Sequence, residues 1–108
     1  MNASLLKAQA LYDFSDRKDL TVNQKVALLA IQREVGGCDN QINDCGPDSA
    51  DYGTRDNFAE GIYFSVLDEC PKEAKFAGRK WIIDTILREI KDCGYLDAYF
   101  RAKEVPVS

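Results

Sequence analysis

Four cysteines are the first residues to consider for chemistry, because thiolates bind metals, form disulfides and act as nucleophiles. They are Cys38, Cys45, Cys70 and Cys93. Their spacing lacks the paired C-x-x-C knuckles of common zinc sites. Reduced thiols, some of them small core residues, are the favoured interpretation. A disulfide between Cys38 and Cys45 and a metal site of four thiolates are the alternatives.

Other common catalytic residues and motifs are also absent from the sequence. The chain contains no histidine, which excludes Ser-His-Asp and Cys-His catalysis, histidine general bases and histidine-containing zinc sites. No GxxxxGK[ST] or GxGxxG segment is present, so the common phosphate-binding loops are absent. The adjacent Asp68 and Glu69 fit a solvated helix end better than an acid/base pair. We therefore predict a protein that is not an enzyme and that carries neither a cofactor nor a metal.

The segment from Gly36 to Asn57 has almost no apolar residues and holds the remaining candidates. These are Asp39, Asp44, Asp48, Asp51, Tyr52 and Asp56. The EF-hand pattern requires oxygen ligands at alternate positions, glycine at the sixth and glutamate at the twelfth. A register from Asp39 places Ala50 at the twelfth position, and a register from Asp48 places Ala50 and Tyr52 at ligand positions. An EF-hand is excluded, and a non-standard cation site stays open as an alternative.

Charge is concentrated in the same segment. Residues 38–57 contain five aspartates and one arginine, a net charge of −4 that equals the net charge of the whole chain. The remaining 88 residues are therefore neutral. With a pI near 4.8, the chain does not resemble domains that bind nucleic acid by neutralising phosphates.

The length of this segment favours a functional role. Structureless loops beyond about 12 to 15 residues are uncommon in compact domains and are often functional. Tyr52 lies between Asp51 and Gly53, and an aromatic residue with charged neighbours is typical of a binding hot spot. We predict that the five aspartates and Tyr52 contact a larger protein with a basic surface, such as a nucleic-acid-binding protein. A solvated connector, with Tyr52 folded back on the core, is the alternative.

The first half of the chain predicts two helices. Asn2 or Ser4 can cap a first helix that ends before the charged SDRKD segment. Thr21 followed by Gln24 forms a capping box. It opens a second helix of about 15 residues, apolar on most of its circumference and therefore central. The Gly36-Gly37 pair should end it.

The second half predicts two or three further helices. Asn57 should cap the third helix, and Pro71 reads as the first residue of the next. Gly78 either divides that helix or lies within it. Gly94 should end it, and YLDAYFRAKE forms a short last helix before the tail Val105 to Ser108. The fold class is therefore all-α, with four to five helices and one long acidic loop at about residues 36–57.

Length and hydropathy bound the organisation of the chain. A sequence of 108 residues predicts a single helical domain, residues 1–108. No run approaches the roughly 18 apolar residues of a membrane span. The first twenty residues lack the features of a signal peptide, so we expect a cytoplasmic location and no membrane association.

These properties together favour non-catalytic protein binding. In size, acidity and lack of catalytic groups the chain is similar in general character to small acidic helical proteins with which phages and bacteria block a larger protein. Anti-defence inhibitors and toxin-immunity proteins are examples. We expect an inhibitor or regulator whose acidic loop occludes a basic groove on its partner.

Two alternatives have their own sequence features. One predicted helix has apolar residues on more sides than a small monomer easily covers, in the segment FAEGIYFSVL at residues 58–67. This favours a self-associating structural or regulatory protein. A helix-turn-helix reading would use four cations on one later helix. These are Arg79, Lys80, Arg88 and Lys91. Acidic residues are interleaved with them, and the long loop breaks the tight turn that this motif requires, so direct nucleic-acid binding is disfavoured.

Overall fold

Six α-helices form the fold. It is described here from a computed structural model, for residues 3–104. The helices are α1 (Ala3–Asp13), α2 (Val22–Cys45), α3 (Arg55–Glu69), α4 (Pro71–Ala77), α5 (Arg79–Asp92) and α6 (Gly94–Glu104). A single 3-10 turn, Pro47–Ser49, lies between α2 and α3. No strand occurs between residues 3 and 104, so the predicted all-α class is confirmed.

Helix α2 continues through the glycine pair that was expected to end it. It spans 24 residues, about 36 Å at the usual rise per residue. Neither Gly36 nor Gly37 has a positive φ. Each glycine in a helix costs about 1 kcal/mol relative to alanine, but Val35 and Ile42 on either side are buried in the core. The prediction of a loop at residues 36–57 is therefore wrong for residues 36–45, which belong to α2, and for residues 55–57, which belong to α3; the true connection covers residues 46–54.

The N-terminal caps of two helices show how the sequence sets their starts. Thr21 and Gln24 form the predicted capping box, with bonds of 3.1 Å from Gln24 N to Thr21 Oγ1 and 2.9 Å from Thr21 N to Gln24 Oε1. Helix α3 begins earlier than predicted. Thr54 is its cap and accepts a 3.1 Å hydrogen bond from the amide of Asn57.

The later helix boundaries follow proline and glycine. Pro71 is the first residue of α4, as predicted. Gly78, with φ of +91°, separates α4 from α5, and this break brings the count between residues 3 and 104 to six instead of four or five. Gly94 begins α6, whereas Cys93 ends α5 by donating its amide to Ile90 O. Predictions for Asn2 and for the tail at 105–108 lie outside the described residues.

The core surrounds α2, which contacts each of the other five helices. Residues 26–31 of α2 are all buried, which confirms the predicted central helix. One hydrophobic cluster collects buried residues from every α-helix of the described chain. Its fully buried larger members include Leu6, Ile31, Val35, Val66, Ile82, Ile86, Ile90, Leu96 and Phe100. Within residues 3–104 no helix has both the length and the apolar character needed to cross a membrane.

Replacing Gly37 by alanine should stabilise the protein. A Cβ at this exposed helical position would meet no atom within 4 Å, so the variant gains helix propensity without a clash. We expect the free energy of unfolding to rise by about 0.5 to 1 kcal/mol in urea denaturation. Gly78→Ala is the matched control and should destabilise, because φ at Gly78 is +91°. An unchanged or lowered stability of Gly37→Ala would contradict a continuous α2.

Candidate functional site

An open cleft of about 830 Å³ lies between the C-terminal end of α2, the segment of residues 46–51 and α6. We call it the α2–α6 cleft. Its apolar lining includes Ile42 from α2 and side chains from successive turns of α6. These are Tyr95, Ala98, Tyr99 and Ala102. This volume is within the roughly 300 to 1,000 Å³ of typical ligand sites, which are also mainly apolar with a few polar groups.

Charged groups lie on the rim of the cleft. Asp48 and Asp51 come from the segment after α2, and Lys103 comes from α6. The Lys103 Nζ is 3.7 Å from Asp51 Oδ1 and 4.6 Å from the centre of the Tyr99 ring. The C-terminal end of α2 also lies at this cleft, and the last backbone carbonyls of this helix carry partial negative charge. The rim is therefore predominantly acidic.

Two tyrosines hold the loop segment that forms one wall. The Tyr99 hydroxyl donates to Ala50 O at 3.2 Å and accepts from Tyr52 N at 3.1 Å. The Tyr52 hydroxyl donates to Gln41 Oε1 at 2.9 Å. Burial raises the pKa of Tyr52 to about 12, so its hydroxyl keeps its proton and this bond well into the alkaline range. The segment is thereby tied to both α2 and α6.

The opposite wall of the cleft is α6, and ion pairs with α3 hold this helix in place. Arg55 at the start of α3 bonds Asp97 at 3.2 Å and Glu104 at 2.8 Å. Its guanidinium also lies 5.5 Å from the centre of the Phe100 ring. Arg55 and Asp97 have side chains only 17% and 14% exposed, so water screens this pair less than a surface pair. These contacts fix the helix that carries most of the apolar lining.

The structure separates the predicted partner-binding residues into groups. Asp48 and Asp51 share the rim of the cleft, and Asp44 is exposed in the last turn of α2. Asp39 accepts a 2.7 Å hydrogen bond from Leu96 N and thus caps α6. Asp56 lies exposed in the first turn of α3. Contact of any of them with a partner stays a prediction.

Tyr52 adopts the alternative placement considered for it. Its ring is half-buried, with its centre 5.0 Å from that of Phe58 and 5.7 Å from that of Tyr99. It therefore supports the wall of the cleft from behind and is not an exposed anchor. The half-exposed aromatic ring at the cleft is instead Tyr95, which is 52% exposed.

Sequence reasoning missed the contribution of α6. Tyr95, Tyr99 and Lys103 recur at four-residue intervals, so they lie on one helical face. Ala98 and Ala102 repeat at the same interval beside them. This pattern of aromatic, small and basic residues was the available signal. By itself the pattern predicts only a short terminal helix, because the segment of residues 46–51 that it faces is about 50 residues away in sequence.

All four cysteines are free thiols. Cys38 and Cys45 lie on the same helix, α2, about 10 Å apart along its axis. This separation exceeds the roughly 7 Å limit between the Cα atoms of a disulfide, so the alternative of a Cys38–Cys45 bridge is wrong. Burial raises the pKa of Cys70 and of Cys93 to about 11. No group of three or more cysteines or carboxylates among residues 3–104 is placed to hold a metal ion.

A carboxylate cluster lies where α2, α3 and α4 meet. One oxygen of Glu69 and one of Glu73 are out of contact with solvent and make no hydrogen bond within residues 3–104. Burial, followed by the hydrogen bond and charge of Glu34, raises the pKa of Glu69 to about 7. Asp68 is exposed but Glu69 is half-buried. The expected solvated helix end therefore applies only to Asp68.

The chain was also compared with known proteins. No family model, curated protein or solved structure matches it.

Tyr99→Phe should loosen the segment that walls the cleft. The ring is retained but the hydroxyl bonds to Ala50 and Tyr52 are lost, at a cost of about 1 to 3 kcal/mol. We expect faster hydrogen exchange at the Tyr52 amide and a lower free energy of unfolding. Tyr95→Phe is the control, because Tyr95 is half-exposed. Equal exchange rates in the two variants would contradict the role of the Tyr99 hydroxyl.

Glu69→Gln should stabilise the protein in mildly alkaline solution. The pKa of Glu69 is raised from 4.5 to about 7 in the fold, so the stability contributed by its protonated form is lost as pH rises through about 7. A neutral glutamine avoids this loss. We expect a higher Tm than wild type at pH 8 and a smaller difference at pH 5. The exposed Asp68→Asn is the control, and a pH-independent effect of Glu69→Gln would contradict this cause.

Proposed function

We propose that this protein is a non-catalytic binding protein that inhibits or regulates a larger partner through the α2–α6 cleft. The observation that carries the proposal is one open cleft with an apolar lining and an acidic rim. Asp48 forms no ion pair with another residue of the described chain, and Asp51 forms only the 3.7 Å ion pair with Lys103 and accepts a 3.4 Å hydrogen bond from the amide of Gly53. Both carboxylates are thus available to a basic partner.

The apolar lining supports the affinity of such binding. Anchoring side chains that fill well-packed, desolvated pockets provide most of the binding energy in protein interfaces. The volume of the cleft exceeds that of a single large side chain, and a partner that filled it would cover the half-exposed ring of Tyr95. Burial of apolar surface contributes about 25 cal/mol per Å², so the lining favours a partner residue of leucine or phenylalanine size.

The acidic rim supports the selectivity and speed of binding. Opposite charges on two proteins speed their diffusional encounter, whereas like charges slow their association. The hypothesis drawn from the sequence placed five aspartates of an extended loop into a groove of the partner. The fold favours a smaller set, Asp48 and Asp51 with Asp44 nearby, that surrounds a cleft on this protein. Size and acidity still favour an anti-defence inhibitor or immunity protein as the biological class.

Self-association is a second candidate with its own observation. Several aromatic side chains outside the cleft are exposed. They are Tyr12 at 79%, Phe76 at 72% and Phe64 at 54%. A second copy of the chain that covered these rings would remove their apolar surface from water. Light scattering at two protein concentrations distinguishes a monomer from a self-associating protein.

Direct DNA binding receives less support from the cations of α5. Lys80 pairs with Asp84 at 2.9 Å, and Arg79 pairs with Glu60 at 3.5 Å. Phosphate binding would have to compete with these pairs. We therefore keep a DNA-binding regulator only as a further alternative, for which binding to generic duplex at low salt is the test.

The double variant Asp48→Asn with Asp51→Asn tests the proposed binding surface. The protein is used to capture its partner from host lysate at low and high salt, and association with the purified partner is then measured. We expect about tenfold slower association at low salt and a weaker salt dependence, since electrostatic steering is reduced. Thermal stability should be unchanged, because the only ion pair of these two residues in the described chain is the long contact between Asp51 and Lys103.

Asp68→Asn with Asp92→Asn is the matched control. It changes the net charge equally at exposed positions away from the cleft. An equal loss of association in both double variants would show that overall charge, and not the cleft, controls binding. Unchanged association in the cleft variant would also contradict the proposal.

A further inference from the structure

We propose that the α2–α6 cleft recognises an apolar side chain with a Lys or Arg beside it, and that Lys103 competes with that partner cation. The ring of Tyr99 and the carboxylate of Asp51 form the seat for the cation, which we call the cation seat. In the free protein Lys103 occupies it. This inference rests on the proposed function, because it specifies the chemistry of the partner segment that enters the same cleft.

The position of Lys103 shows what the cation seat accepts. Its ammonium lies 4.6 Å from the centre of the Tyr99 ring, within the distance of a cation–π contact, and 3.7 Å from Asp51 Oδ1. The contact with Tyr99 raises the pKa of Lys103, and the charge of Asp51 adds to this effect. Both components of the seat favour a positive charge over a neutral group.

The contacts of Lys103 with the cation seat are weak. The side chain of Asp51 is 95% exposed, and ion pairs at exposed positions contribute little because water and salt screen them. Lys103 also lies in the last turn of α6, with its side chain 42% exposed. If its side chain moves away, the ion pair with Asp51 and the contact with the Tyr99 ring are both released to a partner cation.

The rest of the cleft defines what accompanies the cation. Ile42, Ala98 and Ala102 line the part beside the cation seat, and the two alanines leave space above α6. A partner that contributes only a cation would leave this surface exposed to water. A partner with an apolar side chain next to its cation fills both parts, which gives it an advantage over Lys103. Asp48 on the rim would repel a carboxylate in the same position.

A pair of small probes tests this chemistry without knowledge of the partner. Phenethylammonium carries a phenyl ring and a cation, and 3-phenylpropionate carries the same ring with a carboxylate. Each is titrated into the full chain, and binding is followed from the backbone amide resonances of Ala50, Ala98 and Ala102. We expect phenethylammonium to bind at least fivefold more tightly than 3-phenylpropionate.

Variants then test the role of Lys103 as a competitor. Lys103→Met keeps the length of the side chain and removes its charge, so it should bind phenethylammonium at least threefold more tightly than wild type. Asp51→Asn should bind it more weakly. Lys91→Met is the matched control, because Lys91 is an exposed lysine of α5 outside the cleft. The amide spectrum of each variant reports whether its fold is retained.

The outcomes separate this inference from the proposed function. Equal binding of the two probes, or a Lys103→Met variant no better than Lys91→Met, would overturn the cation seat. Preference for phenethylammonium that increases in Lys103→Met supports it. If that preference is found but the Asp48→Asn and Asp51→Asn protein captures its partner normally, the cation seat stands and the proposed protein-binding function fails.

Discussion

Burial of residues 26–31 of α2 on all sides is the constraint on which the rest of the structure depends. This helix contacts the five others, and its residues 26–31 are all buried. Because Ile42 extends the buried surface of α2 beyond the glycine pair, burial favours continuation of the helix and offsets the cost of the two glycines. The continuation carries Asp39 to the start of α6 and brings the end of α2 to the cleft.

Helix α6 is the second element that shapes the site, and polar groups from three other segments hold it. Asp39 caps its first turn, Arg55 pairs with two of its acids, and Tyr99 binds the segment after α2. The partners in each contact are at least 40 residues apart in sequence. Each bond involves a charged group or a tyrosine hydroxyl partly removed from water, where hydrogen bonds are stronger. The cleft is therefore preformed, which lowers the cost of binding.

The acidic charge of residues 38–57 is divided between structure and surface. Asp39 is used within the fold, and Asp56 lies in the first turn of α3, where a negative charge favours the helix dipole. Asp48 and Asp51 remain on the rim of an apolar cleft. The aspartates of this segment thus provide a few stabilising contacts and one localised acidic surface beside the cleft.

The sequence by itself determined the all-α class, the central position of α2 and several helix starts, since periodic apolar residues and local caps such as Thr21 and Pro71 act over a few residues. It also located the acidic charge. Only the tertiary structure decided that α2 passes through Gly36 and Gly37 and that Tyr52 packs inward. The cleft arises in the same way, because it joins residues 42–51 to residues 95–103. Local propensity favours a helix end at paired glycines, but burial against distant helices outweighs it, and that burial has no local signature in the sequence.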